Sequence, residues 1–152
     1  MAELKGYQKL KVTLDKLETT AKHPLWLREA TELVRDTAKA KAPVQTGELQ
    51  GSINNEVRYG FKQSDGTVYS DIEHSLYVEM GTGPVGSANH SGISPNVSPT
   101  YSPKEKWTYE KNGKFYTTSG QPAKPFMYPA LKDNEERILE IADKSIIEAL
   151  KG

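Results

Sequence analysis

The sequence predicts an α+β fold, an antiparallel β-sheet with hairpins packed by a long helix in the N-terminal half and a C-terminal helix. Three observations carry this. Apolar residues recur at spacings of three and four at both ends of the chain, polar and apolar residues alternate between 57 and 72, and an Asn112-Gly113 turn separates two runs rich in aromatic and β-branched residues. A chain of 152 residues fits one domain, and we expect residues 1–152 to form it. Only 36% of the residues are apolar, and the mean hydropathy is -0.67, so the core is small for the length.

In chain order, Leu4, Tyr7, Leu10, Leu14 and Leu17 make an amphipathic stripe over residues 4–20, which needs a partner surface. Pro24 is acceptable in a first helical turn. From there Trp26, Ala30, Leu33, Val34, Thr37, Ala38 and Lys41 trace a second stripe, ended by Pro43 because a helix disfavours the residue before proline. Thr46 is placed to N-cap a short helical turn, with Glu48 near its positive end. Val57, Tyr59 and Phe61, then Val68, Ser70 and Ile72, alternate as strands, with Ser64-Asp65-Gly66 as the turn signal between them.

Residues 76–80, Leu-Tyr-Val-Glu-Met, form a short apolar element that reads as a strand and halts at Gly81-Thr82-Gly83-Pro84. Residues 80–103 hold no charged residue but four prolines and four glycines, which predicts a long flexible loop over about 84–103, without helix or central strand. The loop either orders on a partner or is an insertion with no task. Residues 107–118 predict a projecting hairpin. Pro129 is placed to start the last helix, with Leu131, Ile138, Ile141, Ala142, Ser145, Ile146 and Ala149 on one face.

Twenty Lys and Arg balance twenty Asp and Glu, which argues against a dedicated nucleic-acid or membrane binder. Charge nevertheless alternates along the chain: +3 over residues 1–42, -4 over 43–83, +3 over 84–128 and -2 over 129–152. Such blocks suit charge-complementary contacts between copies or with partners, or an ordinary solvated surface. Cysteine is absent, excluding disulfides, thiolate metal sites and a cysteine nucleophile. The N-terminus shows no apolar leader, and no apolar run approaches a membrane span, so the expected product is soluble and made in the cytoplasm.

The motifs that tempt a chemical reading are weak. Gly81-Thr82-Gly83-Pro84-Val85-Gly86 matches G-x-G-x-x-G, but Pro84 removes one amide and no phosphate-binding helix follows. Strand alternation would put Asp71 and Glu73 on one face and His74 on the other, a poor metal or acid-base site. Ser87, Ser91, Ser94 and Ser98 near His90 lack a G-x-S-x-G. The sequons at Asn89 and Asn96 require a secretory route. No catalytic, cofactor-binding or metal residue is assigned, and no cofactor is expected. The best hint of a partner is the set Lys104, Lys106, Lys111, Lys114 and Lys124 around Trp107, Tyr109, Phe115 and Tyr116, a combination used by single-strand binders. Edge-strand lysines and a sheet's aromatic face are the better explanation of it.

Three blocks in order carry a family resemblance: Val34 to Ile53, including Ala42-Pro43-Val44-Gln45-Thr46-Gly47-Glu48-Leu49; then Tyr77-Val78-Glu79-Met80-Gly81-Thr82-Gly83; then Pro125-Phe126-Met127-Tyr128-Pro129-Ala130-Leu131. Over roughly residues 25–150 the chain resembles the head-tail joining, or tail-completion, proteins of long-tailed bacteriophages. The resemblance implies a non-enzymatic virion protein of the neck, forming a ring, expected to be hexameric, between the head connector or adaptor and the tail terminator or tail tube. Genomic DNA would pass through its lumen without specific binding, and no membrane is involved. The family motif residues here are Ala42, Pro43, Thr46, Gly47, Leu49, Ile53, Tyr77, Val78, Glu79, Gly81, Thr82, Gly83, Pro125, Phe126, Met127, Pro129, Ala130 and Leu131.

Of these, Ala38, Ala40 and Ala42 would allow close helix packing, and Phe126, Met127 and Leu131 would anchor the last helix. Interface candidates are Ile93, Val97 and Tyr101 in the loop and Trp107, Tyr109, Phe115 and Tyr116 in the hairpin, with the N-terminal stripe. A tail terminator or minor tail protein is the closest alternative. A small nucleic-acid-binding module and a small hydrolase using His74 or His90 are alternatives from other classes.

Overall fold

The computed structural model describes residues 2–45 and 47–151, with side chains from Gly6 onward except Lys22. It is an α+β chain of seven helices and four strands among the described residues. In order these are α1 (Ala2–Lys22), α2 (Trp26–Lys41), α3 (Glu48–Ser52), β1 (Ile53–Arg58), β2 (Asp65–Ser70), α4 (His74–Met80), α5 (Gly83–Ala88), β3 (Trp107–Lys111), β4 (Lys114–Thr118), α6 (Met127–Asp133) and α7 (Glu135–Lys151). The sheet expected from the sequence is two separate antiparallel hairpins, β1-β2 and β3-β4.

The chain divides into two compact units. The first comprises the chain up to Asp36, Asn54–Val68 and the chain from Asp133 onward. Its buried residues among those described are few, Pro24, Ala30, Thr31, Val34 and Ile141. Here α1 packs along α7. Gly66, expected as a turn residue, instead lies in β2, where an added Cβ would run into Thr31 Oγ1 and come within 3.2 Å of Leu27 Cδ1. It is a close-approach glycine. The turn itself falls at residues 59–64, where Gly60 sits under the Gln63 carbonyl.

The second unit comprises Thr37–Ile53 and Tyr69–Lys132. Ala38, Ala42, Leu49, Ile53, Phe126 and Ala130 are its apolar core, with Phe126 and Ile53 fully buried. Ala38 and Ala42 share a helix face, but Ala40 turns outward, since two residues advance a helix by about 200°. Helix α2 closes with Ala42 N–H donating to the Ala38 carbonyl at 2.9 Å, after which Pro43 offers no donor.

Three local expectations are corrected. Residues 76–80 are helical, not a strand, within α4. The uncharged stretch is not free of helix, because α5 occupies its start with Pro84 in the first turn. The last helix is two: α6 begins at Met127, ahead of Pro129, and α7 starts afresh after Asn134, whose carbonyl accepts Ile138 N–H at 2.8 Å. Leu131, expected to anchor the last helix, is 48% exposed in α6 and is not part of the buried core. The expected Thr46 cap lies outside the described residues; α3 does follow it, entered through Gly47 at φ 77°.

The β3-β4 hairpin agrees with its sequence signal. Asn112 and Gly113 adopt φ 54° and 74°, as a type I′ turn requires, and the register runs from Trp107 opposite Thr118 to Lys111 opposite Lys114. Gly113→Ala is expected to cost the hairpin about 1 kcal/mol from its positive φ alone, since nothing stands within 4 Å of the added methyl. Amide exchange across β3 and β4 measures this, and unchanged protection would contradict it.

Candidate functional site

The two downstream sequence blocks meet in the second unit. Tyr77 to Gly83 forms the end of α4 and the bend after it, and Pro125 to Leu131 forms the entry to α6. Helix α6 opens with N–H groups that its own turns cannot satisfy. The buried Glu79 carboxylate supplies the acceptors from outside: Oε2 accepts Phe126 N–H at 2.7 Å and Met127 N–H at 3.0 Å, and Oε1 accepts Tyr128 N–H at 3.1 Å. A negative charge there also faces the positive end of the helix.

The backbone around Glu79 is knitted to residues 119–124. Lys124 N–H donates to the Val78 carbonyl at 2.8 Å, and Thr82 and Gln121 exchange N–H···O=C bonds at 2.9 and 3.2 Å. Gly81 and Gly83 make this possible. Gly81 has φ 76° and ψ 173°, and a Cβ on Gly83 would lie 2.7 Å from both the Ser119 carbonyl and the Trp107 ring. That ring therefore seats the base of the β3-β4 hairpin on the Gly81-Thr82-Gly83 bend.

The uncharged segment is tied back at several points. Tyr101 O–H donates to the Met80 carbonyl at 2.7 Å, and desolvation pushes its phenol pKa up. Ala123 N–H donates to the Asn89 carbonyl at 2.8 Å, and the His90 and Tyr101 rings lie 5.8 Å apart. Of the interface candidates, Ile93, Tyr101 and Trp107 are half-buried. Val97, Tyr109, Phe115 and Tyr116 are exposed, and Tyr109 stacks on Tyr116 with ring centroids 5.7 Å apart. Phe115 points to the opposite face of the hairpin and is 75% exposed.

Among the motif residues, Ala42, Leu49, Ile53, Glu79, Gly81, Gly83, Phe126 and Ala130 are buried, and Pro43, Val78, Thr82, Pro125, Met127 and Pro129 are half-buried. Gly47, Tyr77 and Leu131 are exposed, and Thr46 lies outside the described residues. The motif is thus mostly a folding device. Sequence reasoning missed the Glu79 cap, for which the only signal was a carboxylate inside an apolar run. It also missed the exposed apolar residues Leu139, Ile147 and Leu150 on α7, and Ile146, expected on the packed face of that helix, is 43% exposed.

Among the described residues no three His, Asp or Glu side chains come together as a metal site. No helix among them is long and apolar enough to cross a membrane. No curated protein matches the chain. No solved structure matches it either. Residues 8–81 match the family model described as "Bacteriophage HK97-gp10, putative tail-component". That match takes in the first two of the three sequence blocks, up to Gly81, and agrees with the head-tail joining and tail-completion resemblance. Over residues 8–81 the chain is therefore similar to a family of structural phage tail components.

Proposed function

We propose that the protein is a structural component of the phage neck, acting as one tail-completion domain over residues 1–152 and joining the DNA-filled head to the tail. The observation that carries this reading is the family match over residues 8–81. In this role copies close into a ring, a hexamer by the family resemblance, with the head connector or adaptor on one side and the tail terminator or tail tube on the other. DNA passes through the lumen without specific binding, in keeping with a net charge of zero. Heterologous contacts that close into a cycle let a protomer with a small core gain burial from two neighbours. Val97 and the exposed hairpin residues Tyr109, Phe115 and Tyr116 are the contacts assigned to neighbouring proteins.

The test is solution mass by light scattering after size exclusion, for the protein alone and mixed with purified tails lacking it. A closed oligomer, or a protein captured at the tail end that restores head joining, supports the reading. Capture on tails without restored joining points to a tail terminator or minor tail protein. No affinity for tails overturns both.

A further inference from the structure

Helix α1 is arranged backwards for a protein that works alone. It packs along α7, and its half-buried residues are Thr13, Lys16, Leu17 and Thr20. Of its described large apolar side chains only Leu17 is half-buried; Tyr7, Leu10 and Leu14 are 65, 57 and 54% exposed, and Val12, on another side of the helix, is 53% exposed. A lone amphipathic helix would do the reverse. Tyr7, Leu10 and Leu14 repeat at spacings of three and four, the start of a coiled-coil seam, and Leu17 and Ala21 continue the repeat at the edge that borders Ile146 of α7 in the same copy. Helix α7 shows a matching feature beside its inward face: Leu139, Ile147 and Leu150 are 64, 49 and 50% exposed, with Ile146, 43% exposed, at the edge that borders Leu17, Thr20 and Ala21 of α1 in the same copy.

Charge identifies what covers them. Helix α1 holds five lysines and three carboxylates, net +2, while α7 holds five carboxylates and three basic residues, net -2. Pairing α1 with α1 or α7 with α7 between copies would bring like charges together. Pairing α1 of one copy with α7 of the next brings apolar row to apolar row and opposite charges to each other. We propose that the outer faces of α1 and α7 are the two halves of one head-to-tail interface, each occupied by a second copy of this chain. Two different surfaces per copy make the contact heterologous, the kind that closes into a ring. The proposal rests on the ring reading above and names the surface that builds it.

The chain has no cysteine, so introduced cysteines report cleanly. Variants bearing Leu10→Cys or Leu14→Cys on α1 are mixed pairwise with variants bearing Leu139→Cys, Ile146→Cys or Leu150→Cys on α7, then oxidised. All five positions are exposed, and circular dichroism confirms the fold of each variant. The best α1–α7 pair is expected to form the mixed disulfide about tenfold over the same α1 variant mixed with Ser98→Cys, equivalent to about 1.4 kcal/mol of preference. Mixed disulfides no stronger than this control, or α1–α1 disulfides that dominate, overturn the proposal. The ring reading fails separately. If light scattering finds a closed oligomer while no mixed disulfide forms, the surface is wrong and the ring stands; if the mixed pair forms but a variant with both cysteines gives only open chains, the surface stands and the ring falls.

Discussion

Glu79→Ala is expected to destabilise the fold by about 3 kcal/mol, because it strands three backbone donors whose acceptor is a buried carboxylate. Hydrogen bonds to a charged group contribute about 1.5–3 kcal/mol each, and the Phe126 N–H has the least access to replacement water since Phe126 is fully buried. For a chain of this length the loss corresponds to a fall in melting temperature of roughly 6–12 °C, readable by calorimetry. Glu79→Gln should fall between. Its single carbonyl can keep the Phe126 and Met127 bonds, but its amide then faces the Tyr128 N–H, donor against donor. Glu73→Ala is the control, an exposed carboxylate that only accepts from Tyr77 O–H at 3.3 Å, and is expected to change stability by about 0.5 kcal/mol or less. A Glu79→Ala protein as stable as the Glu73→Ala control would refute the cap.

That result bears on why part of the structure was legible in the sequence and part was not. The Asn112-Gly113 hairpin was, because both its turn and its strand pattern are local, and the turn chemistry leaves little choice. The α2 stripe was, because its repeat persists for four turns and burial follows it through Ala30, Val34, Ala38 and Ala42. Residues 76–80 were not. Five residues containing Val and Tyr look the same to a strand and to a short helix, and what selects α4 is the contact of Glu79 with backbone 47 to 49 residues away.

Glycine misled in the same way. Gly66 has the local look of a turn residue, and only the approach of Leu27 and Thr31 reveals its use. For the candidate site, the three blocks were recognisable as a pattern, but that the second caps the third is a property of the folded chain. The exposure of the α1 stripe was anticipated only as a need for a partner, and of the exposed apolar residues on α7 only Ile146 was named, as a packed residue and not as part of an exposed patch with Leu139 and Leu150.

Gly81→Ala is expected to be at least as damaging as Glu79→Ala, about 3 kcal/mol or more, through two separate penalties. The backbone sits at φ 76° and ψ 173°, a region essentially reserved for glycine, which costs a residue with Cβ about 1–3 kcal/mol. The added Cβ would also stand 2.8 Å from Ala123 N, 2.9 Å from the Gln121 carbonyl oxygen and 2.9 Å from Gly86 Cα, all backbone atoms with no rotamer to yield. Relieving them means separating the Thr82-Gln121 bridge, which holds the hairpin base and the α6 entry in place. Gly47→Ala separates strain from crowding. Its φ of 77° and ψ of -9° is near the ordinary left-handed region and nothing lies within 4 Å, so the cost should be about 1 kcal/mol. Gly6→Ala, in a helix with open space around it, should be neutral or stabilising by up to about 1 kcal/mol. The expected ranking by denaturant unfolding is therefore Gly81 far above Gly47, and Gly47 above Gly6. Equal costs at Gly81 and Gly47 would mean that the bend tolerates a methyl, and that the close approach of residues 121–123 is not what makes glycine necessary there.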